Sequence, residues 1–215
     1  MVAARTDDLL VNGRATAPAT LILAHGAGAP MDSPFMNTIA QAVASQTVRV
    51  VRFEFPYMAA RRISGKRGAP DREVALLDAW RHAITAARAG RILVVGGKSL
   101  GGRIASMIAD DVGAAGLVCL GYPFHPPGNP SRPRVRHLEQ LRTPALIVQG
   151  TRDSLGRPEE VRHYNLSPRV RIAWIEDGDH SLKPRVRSGR TEAQNLSDAI
   201  AYVRDFIASL DAVNR

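Results

Sequence analysis

Ile92-Leu93-Val94-Val95-Gly96-Gly97-Lys98-Ser99-Leu100-Gly101-Gly102-Arg103 is the stretch on which the fold turns. A short apolar run, Ile92 to Val95, has the length and branching of a buried strand, and the segment from Leu100 to Ala109 has helical spacing. Between them stands a G-x-S-x-G match, Gly97 to Gly101. A serine on a sharp strand-to-helix turn is held in strained backbone, and small residues two positions to either side let neighbouring backbone pass. The hydroxyl is thereby presented above the sheet. The helix behind adds the positive end of its dipole, and the Leu100 N–H points toward any oxyanion formed there. A bare glycine-rich turn that cradles a phosphate is the competing reading. The spacing G-x-x-x-x-G-K-[S/T] of a P-loop is absent, despite the Lys98-Ser99 pair.

Outward from this turn, further apolar runs recur at Thr20 to Ala24, Val48 to Phe53, Leu117 to Leu120, Ala145 to Val148 and Val170 to Ile175. They read as buried parallel strands. Helical segments alternate with them at Ser33 to Ser45, Arg72 to Ala87, Pro158 to His163 and Glu192 to Leu210. Ser33-Pro34 and Pro70-Asp71 mark helix starts. Strand and helix in alternation predict an α/β fold with a mostly parallel, doubly wound sheet. Residues 1–215 read as one domain, because no repeat and no composition shift divides them. Two stretches break the pattern. Pro56 to Pro70, with Arg61, Arg62, Lys66 and Arg67 around Gly65 and Gly68, reads as a mobile basic loop that could meet an acidic partner. Gly121 to Pro133 carries five prolines and reads as a stiff, extended excursion. Little chain is left for a lid domain.

A serine hydroxyl needs a base and a carboxylate that orients the base. In chain order these should follow as acid and then histidine. Asp153 lies just beyond the strand ending near Gly150, and His180 lies in Glu176-Asp177-Gly178-Asp179-His180-Ser181 after the last strand. Asp177 and Asp179 compete for the acid's place, and Asp153 could instead be a turn residue. The second oxyanion donor should come from the loop after the first central strand, here Ala24-His25-Gly26-Ala27-Gly28-Ala29. The Ala27 N–H is the candidate, Gly26 and Gly28 free the backbone to turn, and His25 reads as a support that holds the loop by hydrogen bonds. Tyr122 and His125 leave a strand end at the catalytic edge and read equally as substrate wall or as loop packing. His82, His137 and His163 are expected to face solvent.

Composition bounds the function. The formal charge of +9 rests on scattered arginines, since Lys66, Lys98 and Lys183 are the only lysines, and aromatics make up 5% of the chain. That pattern lacks the clustered footprint of nucleic-acid binding. The single cysteine, Cys119, sits in an apolar strand and excludes an internal disulfide. No metal-ligand spacing occurs, so neither metal nor cofactor is expected. Met1 to Asp8 carries Arg5, Asp7 and Asp8 and no apolar export segment, and no apolar run reaches membrane-spanning length. A cytoplasmic location is expected.

The chain resembles the small, lidless α/β hydrolases, the branch that includes subunit 3 of the NSL chromatin complex. The likeness lies in His25 to Ala29 with Met31-Asp32-Ser33-Pro34-Phe35-Met36, in Phe55-Pro56-Tyr57-Met58, in Gly97 to Arg103, in Leu120 to Gly128, and in Gly150-Thr151-Arg152-Asp153. It implies an α/β-hydrolase core with Ser99, Asp153 and His180 in the triad positions. A more distant likeness to dienelactone hydrolases stops at the nucleophile, which is cysteine there and Ser99 here. The expected activity is hydrolysis of an ester or related acyl bond in a small molecule through an acyl-enzyme, with acyl transfer as a variant. The competing class is a catalytically idle scaffold that binds a protein or nucleic-acid partner.

Overall fold

Among the described residues, seven strands form one sheet in the order β1-β3-β2-β4-β5-β6-β7. The computed structural model describes residues 9–87 and 89–213; the reading of Met1 to Asp8 lies outside them. The strands are β1 (Leu10–Asn12), β2 (Ala19–Ala24), β3 (Val48–Phe53), β4 (Ile92–Lys98), β5 (Gly116–Leu120), β6 (Ala145–Gly150) and β7 (Val170–Ile175). All neighbours pair in parallel except β1, which runs antiparallel to β3. β1 went unread because it has three residues and only partial burial, too short for any period to show.

The alternation of side chains along each strand sorts the core into two layers. Ile22, Val51, Phe53, Leu93, Val95, Leu117, Cys119 and Ile147 face one way, against Trp80 and Ile84 of α3 (Glu73–Ala87) and Ile104 and Ile108 of α4 (Leu100–Ile108). Leu21, Leu23, Val50, Val94, Val118, Leu146 and Val148 face the other, against Met36, Ile39 and Val43 of α1 (Pro34–Val43) and Val203, Phe206 and Ile207 of α6 (Glu192–Val213). Burial on both faces explains why β2, β5 and β6 read as unbroken apolar runs. No helix among the described residues is long and apolar enough to cross a membrane.

The expected mobile basic loop is half helix. Pro56–Ser64 forms α2, opened by Pro56 at its first turn and closed by Gly65 in the left-handed conformation, φ 68°, whose N–H bonds the Arg61 carbonyl. Basic content hid the pattern: only Tyr57 and Met58 are buried, while Arg62 reaches Glu54 Oε2 at 2.5 Å and Asp32 Oδ1 at 2.5 Å. The proline-rich stretch does run without regular structure from Gly121 to Pro133, as its prolines demand. The helix read at Pro158 to His163 is shorter, α5 being Pro158–Val161.

The strand order reverses between β2 and β4. From β2 the chain crosses through α1 to β3 on one side, and from β3 it crosses to β4 on the other, then proceeds outward through β5, β6 and β7. The carboxyl ends of β2 and β4 therefore flank a crevice, and that is where open α/β sheets hold their ligands.

Candidate active site

Ser99 follows β4 directly at this crevice, with φ 50° and ψ −113°. A left-handed φ is costly for a residue with a Cβ, on the order of 1–3 kcal/mol, and is kept only where the surroundings enforce it. The surroundings are backbone. A Cβ on Gly97 would stand 2.3 Å from the Ala24 carbonyl oxygen, and one on Gly101 would stand 2.3 Å from that same oxygen and 2.7 Å from that of His25. The glycines on either side of Ser99 are thus required by the close passage of the β2 end. Gly101→Ala is expected to destabilise the fold at the upper end of about 1–3 kcal/mol. Urea denaturation checks this, because the obstructing atoms are main chain and cannot swing aside.

His180 and Asp153 converge on the serine from two other strand ends. Ser99 Oγ and His180 Nε2 are 2.8 Å apart, and His180 Nδ1 and Asp153 Oδ2 are 2.8 Å apart. An ionised carboxylate only accepts, so Nδ1 carries the ring proton and Nε2 is left to accept from the serine hydroxyl. Asp153 is fully buried, and its charge is met from three sides: the Leu155 N–H reaches Oδ1 at 2.9 Å, and Gln149 Nε2 and the His180 ring both donate to Oδ2. Gln149 lies wholly buried in β6 and takes the Tyr122 N–H on its own Oε1 at 2.7 Å. Sequence reasoning passed it over, although a lone amide in an apolar strand four residues before the acid was a usable signal.

The two competing carboxylates are engaged elsewhere. Asp177 takes the Arg185 N–H at 2.6 Å, pairs with the Arg185 guanidinium, and meets Arg152 Nε at 3.1 Å. Asp179 Oδ1 accepts the N–H groups of Ser181 at 2.8 Å and Lys183 at 3.0 Å, closing a turn within the His180 loop. The bonds from Arg185 hold the Asp177 carboxyl well below its usual range, at about 2. A folded-state value below the unfolded one means that this contribution to stability is complete above the ordinary carboxylate range and is lost as pH falls through about 2. Asp177→Asn should therefore lose stability at neutral pH and flatten the acid-unfolding curve, as read by circular dichroism.

The loop after β2 lies against the serine: a Cβ on Gly26 would stand 3.6 Å from Ser99 Cβ. Buried His25 holds it, with Nδ1 on the Gly26 carbonyl at 2.7 Å and Nε2 accepting the Phe55 N–H at 3.1 Å. Burial pushes the His25 ring below the usual imidazole range, so it stays neutral in this role. α2 supports the loop from above. Tyr57 OH donates to the Ala27 carbonyl at 3.2 Å, and Arg61 reaches the Gly28 carbonyl at 3.3 Å. Neither support was anticipated, because α2 itself was read as a loop. Gly28 meets open space and has no positive φ, so nothing steric demands glycine there.

Two open readings are decided and one expectation is corrected. Tyr122 is no substrate wall: its ring is wholly buried against Phe124 and its hydroxyl donates to the Arg134 carbonyl at 2.9 Å. His125 is 3% exposed and turned inward to Glu160, with 3.3 Å between Nε2 and Oε2. Both belong to the packing of the proline-rich excursion, which must bury its aromatics because it has no helix to do so. His137 is half-buried rather than fully turned to solvent. It sits within 2.8 Å of Ser106 Oγ, and burial together with Arg103 pushes its ring down to about 4.

The alignment of a strained serine, an imidazole and a buried carboxylate at the crevice of a doubly wound sheet defines a class. Residues 17–208 match the family model described as an alpha/beta hydrolase domain, and the chain belongs to that family. Among solved structures it is similar to XC6422 of Xanthomonas campestris, described as an α/β serine hydrolase without lid, at 20% identity and TM-score 0.68, with 93% of this chain and 88% of that chain covered. It is also similar to an esterase domain of a Rhodothermus marinus protein, at 15% identity and TM-score 0.63 over 89% and 87% of the two chains. A dienelactone hydrolase of Anabaena variabilis aligns at 16% identity and TM-score 0.68, with 90% and 87% covered. At these identities the likeness carries the fold. The matches reach the family and not the narrower branch noted from the motifs.

Proposed function

We propose that the protein is a serine hydrolase that cleaves an ester or related acyl bond, with Ser99 as nucleophile, His180 as general base and Asp153 as the group that orients it. The observation that carries this reading is the unbroken hydrogen-bonded chain from Ser99 Oγ through both nitrogens of His180 to Asp153, 2.8 Å at each link. A buried, triply bonded carboxylate keeps the imidazole in the tautomer that can take the serine proton, and stabilises the imidazolium once it has done so. Attack on the acyl carbonyl places negative charge on its oxygen. The amides of Leu100, at the start of α4, and of Ala27, in the loop braced by His25, Tyr57 and Arg61, are assigned to receive it. Collapse expels the alcohol with the proton from His180, and water activated by the same ring releases the acid. The serine hydrolase and esterase among the similar structures support the reaction class. Without a lid the site suits short or surface-presented acyl groups, so acetyl and butyryl esters should be preferred over palmitoyl.

A fluorophosphonate probe together with a series of p-nitrophenyl esters tests the assignment. Labelling at Ser99 with turnover of the short esters is the expected result. Folded protein that neither labels nor hydrolyses any ester overturns it and leaves the fold as a binding scaffold.

A further inference from the structure

Lys98, the residue that separates Gly97 from Ser99, takes no part in the chemistry just described, yet it is built into the same site. It ends β4 with its side chain running under the His180 loop, where Nζ donates to the main-chain carbonyl of His180 at 2.5 Å, across 82 positions of sequence. The ammonium lies 5.7 Å from the centre of the Phe35 ring at the start of α1. Space for this contact has been cleared at the two neighbouring strand ends. A Cβ on Gly121, just past β5 at φ 69°, would stand 2.7 Å from the His180 carbonyl oxygen, 2.9 Å from Lys98 Nζ and 3.5 Å from His180 Nδ1. A Cβ on Gly150, at the end of β6, would stand 2.2 Å from the Gly178 carbonyl oxygen. The histidine loop is thus lowered onto two glycines and fastened by one lysine.

We infer that Lys98 is a positioning residue for His180, holding the loop of the general base to the strand that carries the nucleophile. The inference rests on the triad reading above. Two adjacent residues, Lys98 and Ser99, then set both sides of the serine–histidine contact, so any shift of the β4 end carries the base along with the nucleophile. An angstrom of misplacement in such a pair costs on the order of a hundredfold in rate. The charge acts as well. While the ammonium carries its proton, the bond to the His180 carbonyl is charge-assisted and stronger than a neutral one. The groups that face the ammonium are the carboxylates of Asp153 and Asp179, the His180 carbonyl and the Phe35 ring. Burial pushes Lys98 down to about 8, partly offset by those two carboxylates. Above that pH the charge-assisted bond weakens, and the hold on the loop weakens with it.

The test compares wild type, Lys98→Met and Lys98→Arg, each verified as folded by circular dichroism. Lys98→Met should lower kcat for p-nitrophenyl acetate by about 10–100-fold while KM changes less than about threefold. The alkaline limb near 8 in its kcat/KM should vanish. Lys98→Arg, charged at every pH, should recover at least tenfold over Lys98→Met and also lack the alkaline limb. Hydrogen exchange of amides 178–183 reads the same hold without turnover: protection in the wild type should fall as pH rises through about 8, and should already be low in Lys98→Met. Lys98→Met with kcat within twofold of wild type, or with wild-type protection of the loop, overturns the inference. Should Lys98→Met not fold, an alkaline limb retained in Lys98→Arg does so. Wild type that shows the exchange behaviour and no ester turnover or labelling sinks the triad reading and leaves the lysine's hold on the loop standing.

Discussion

Ser99→Ala is expected to lower kcat/KM toward p-nitrophenyl esters by about four to six orders of magnitude and to abolish fluorophosphonate labelling, with the fold intact. The size follows from the way the group acts. Without the hydroxyl, His180 and Asp153 have nothing to activate in the proposed mechanism, and only the amides assigned to the oxyanion and substrate binding remain. Stability should hardly change, because the lost contact is a single partly exposed hydrogen bond to His180, worth about 1 kcal/mol. The strained turn offers an internal control. Alanine keeps a Cβ at φ 50° and keeps the strain, whereas Ser99→Gly relieves it. Ser99→Gly should therefore be as inactive as Ser99→Ala and more stable than it by about 1–2 kcal/mol in urea denaturation. A serine variant that gains stability as it loses activity would mark the strain as kept for function.

The second large effect is expected from Asp153→Asn, a loss in kcat of about 10⁴-fold. Both carboxylate oxygens accept hydrogen bonds from fixed donors: Leu155 N–H on Oδ1, Gln149 and His180 on Oδ2. An asparagine must set its NH₂ against one side or the other. Turned toward Leu155, it faces an N–H in a fully buried space. Turned toward His180, it faces the Gln149 amide and becomes the donor to Nδ1, which moves the ring proton to Nε2, the atom that has to accept from Ser99. Each orientation leaves two buried donors opposed, at about 1–3 kcal/mol of stability. The pairing with Gln149 gives a discriminating result. Gln149 Nε2 also donates to the Tyr122 and Gly156 carbonyls, so Gln149→Glu in the Asp153→Asn background sets a buried carboxylate oxygen against both and should lower stability further without regaining rate. Full activity in Asp153→Asn would transfer the orienting role away from this residue.

Much of the site is legible in the sequence. Gly97, Ser99 and Gly101 could be read as one object because a serine displayed at a strand-to-helix turn needs small neighbours, and the structure gives the reason in atoms: the Ala24 carbonyl passes both glycines. Asp153 and His180 could be placed because each directly follows a run that announces itself as a strand. Tyr122 and His125 could only be placed near the edge. Which way a side chain turns out of an irregular, proline-rich segment depends on what packs against it, and here Phe124 and Glu160 draw both inward.

The six parallel strands, the burial of the sheet on both faces and the placing of Ser99 and His180 at strand ends were determined by the sequence alone, because each is written in a local period or a local turn. The tertiary structure decided what contact over long separations decides. It chose Asp153 over Asp177 and Asp179 by engaging the latter two within their own loop, it folded Pro56–Ser64 into a brace for the Ala27 loop, and it set Lys98 beneath a carbonyl 82 residues away. Such pairings leave no mark on the spacing of nearby residues, since the atoms that satisfy a buried charge or a free carbonyl are supplied by whichever strand end the sheet places beside it.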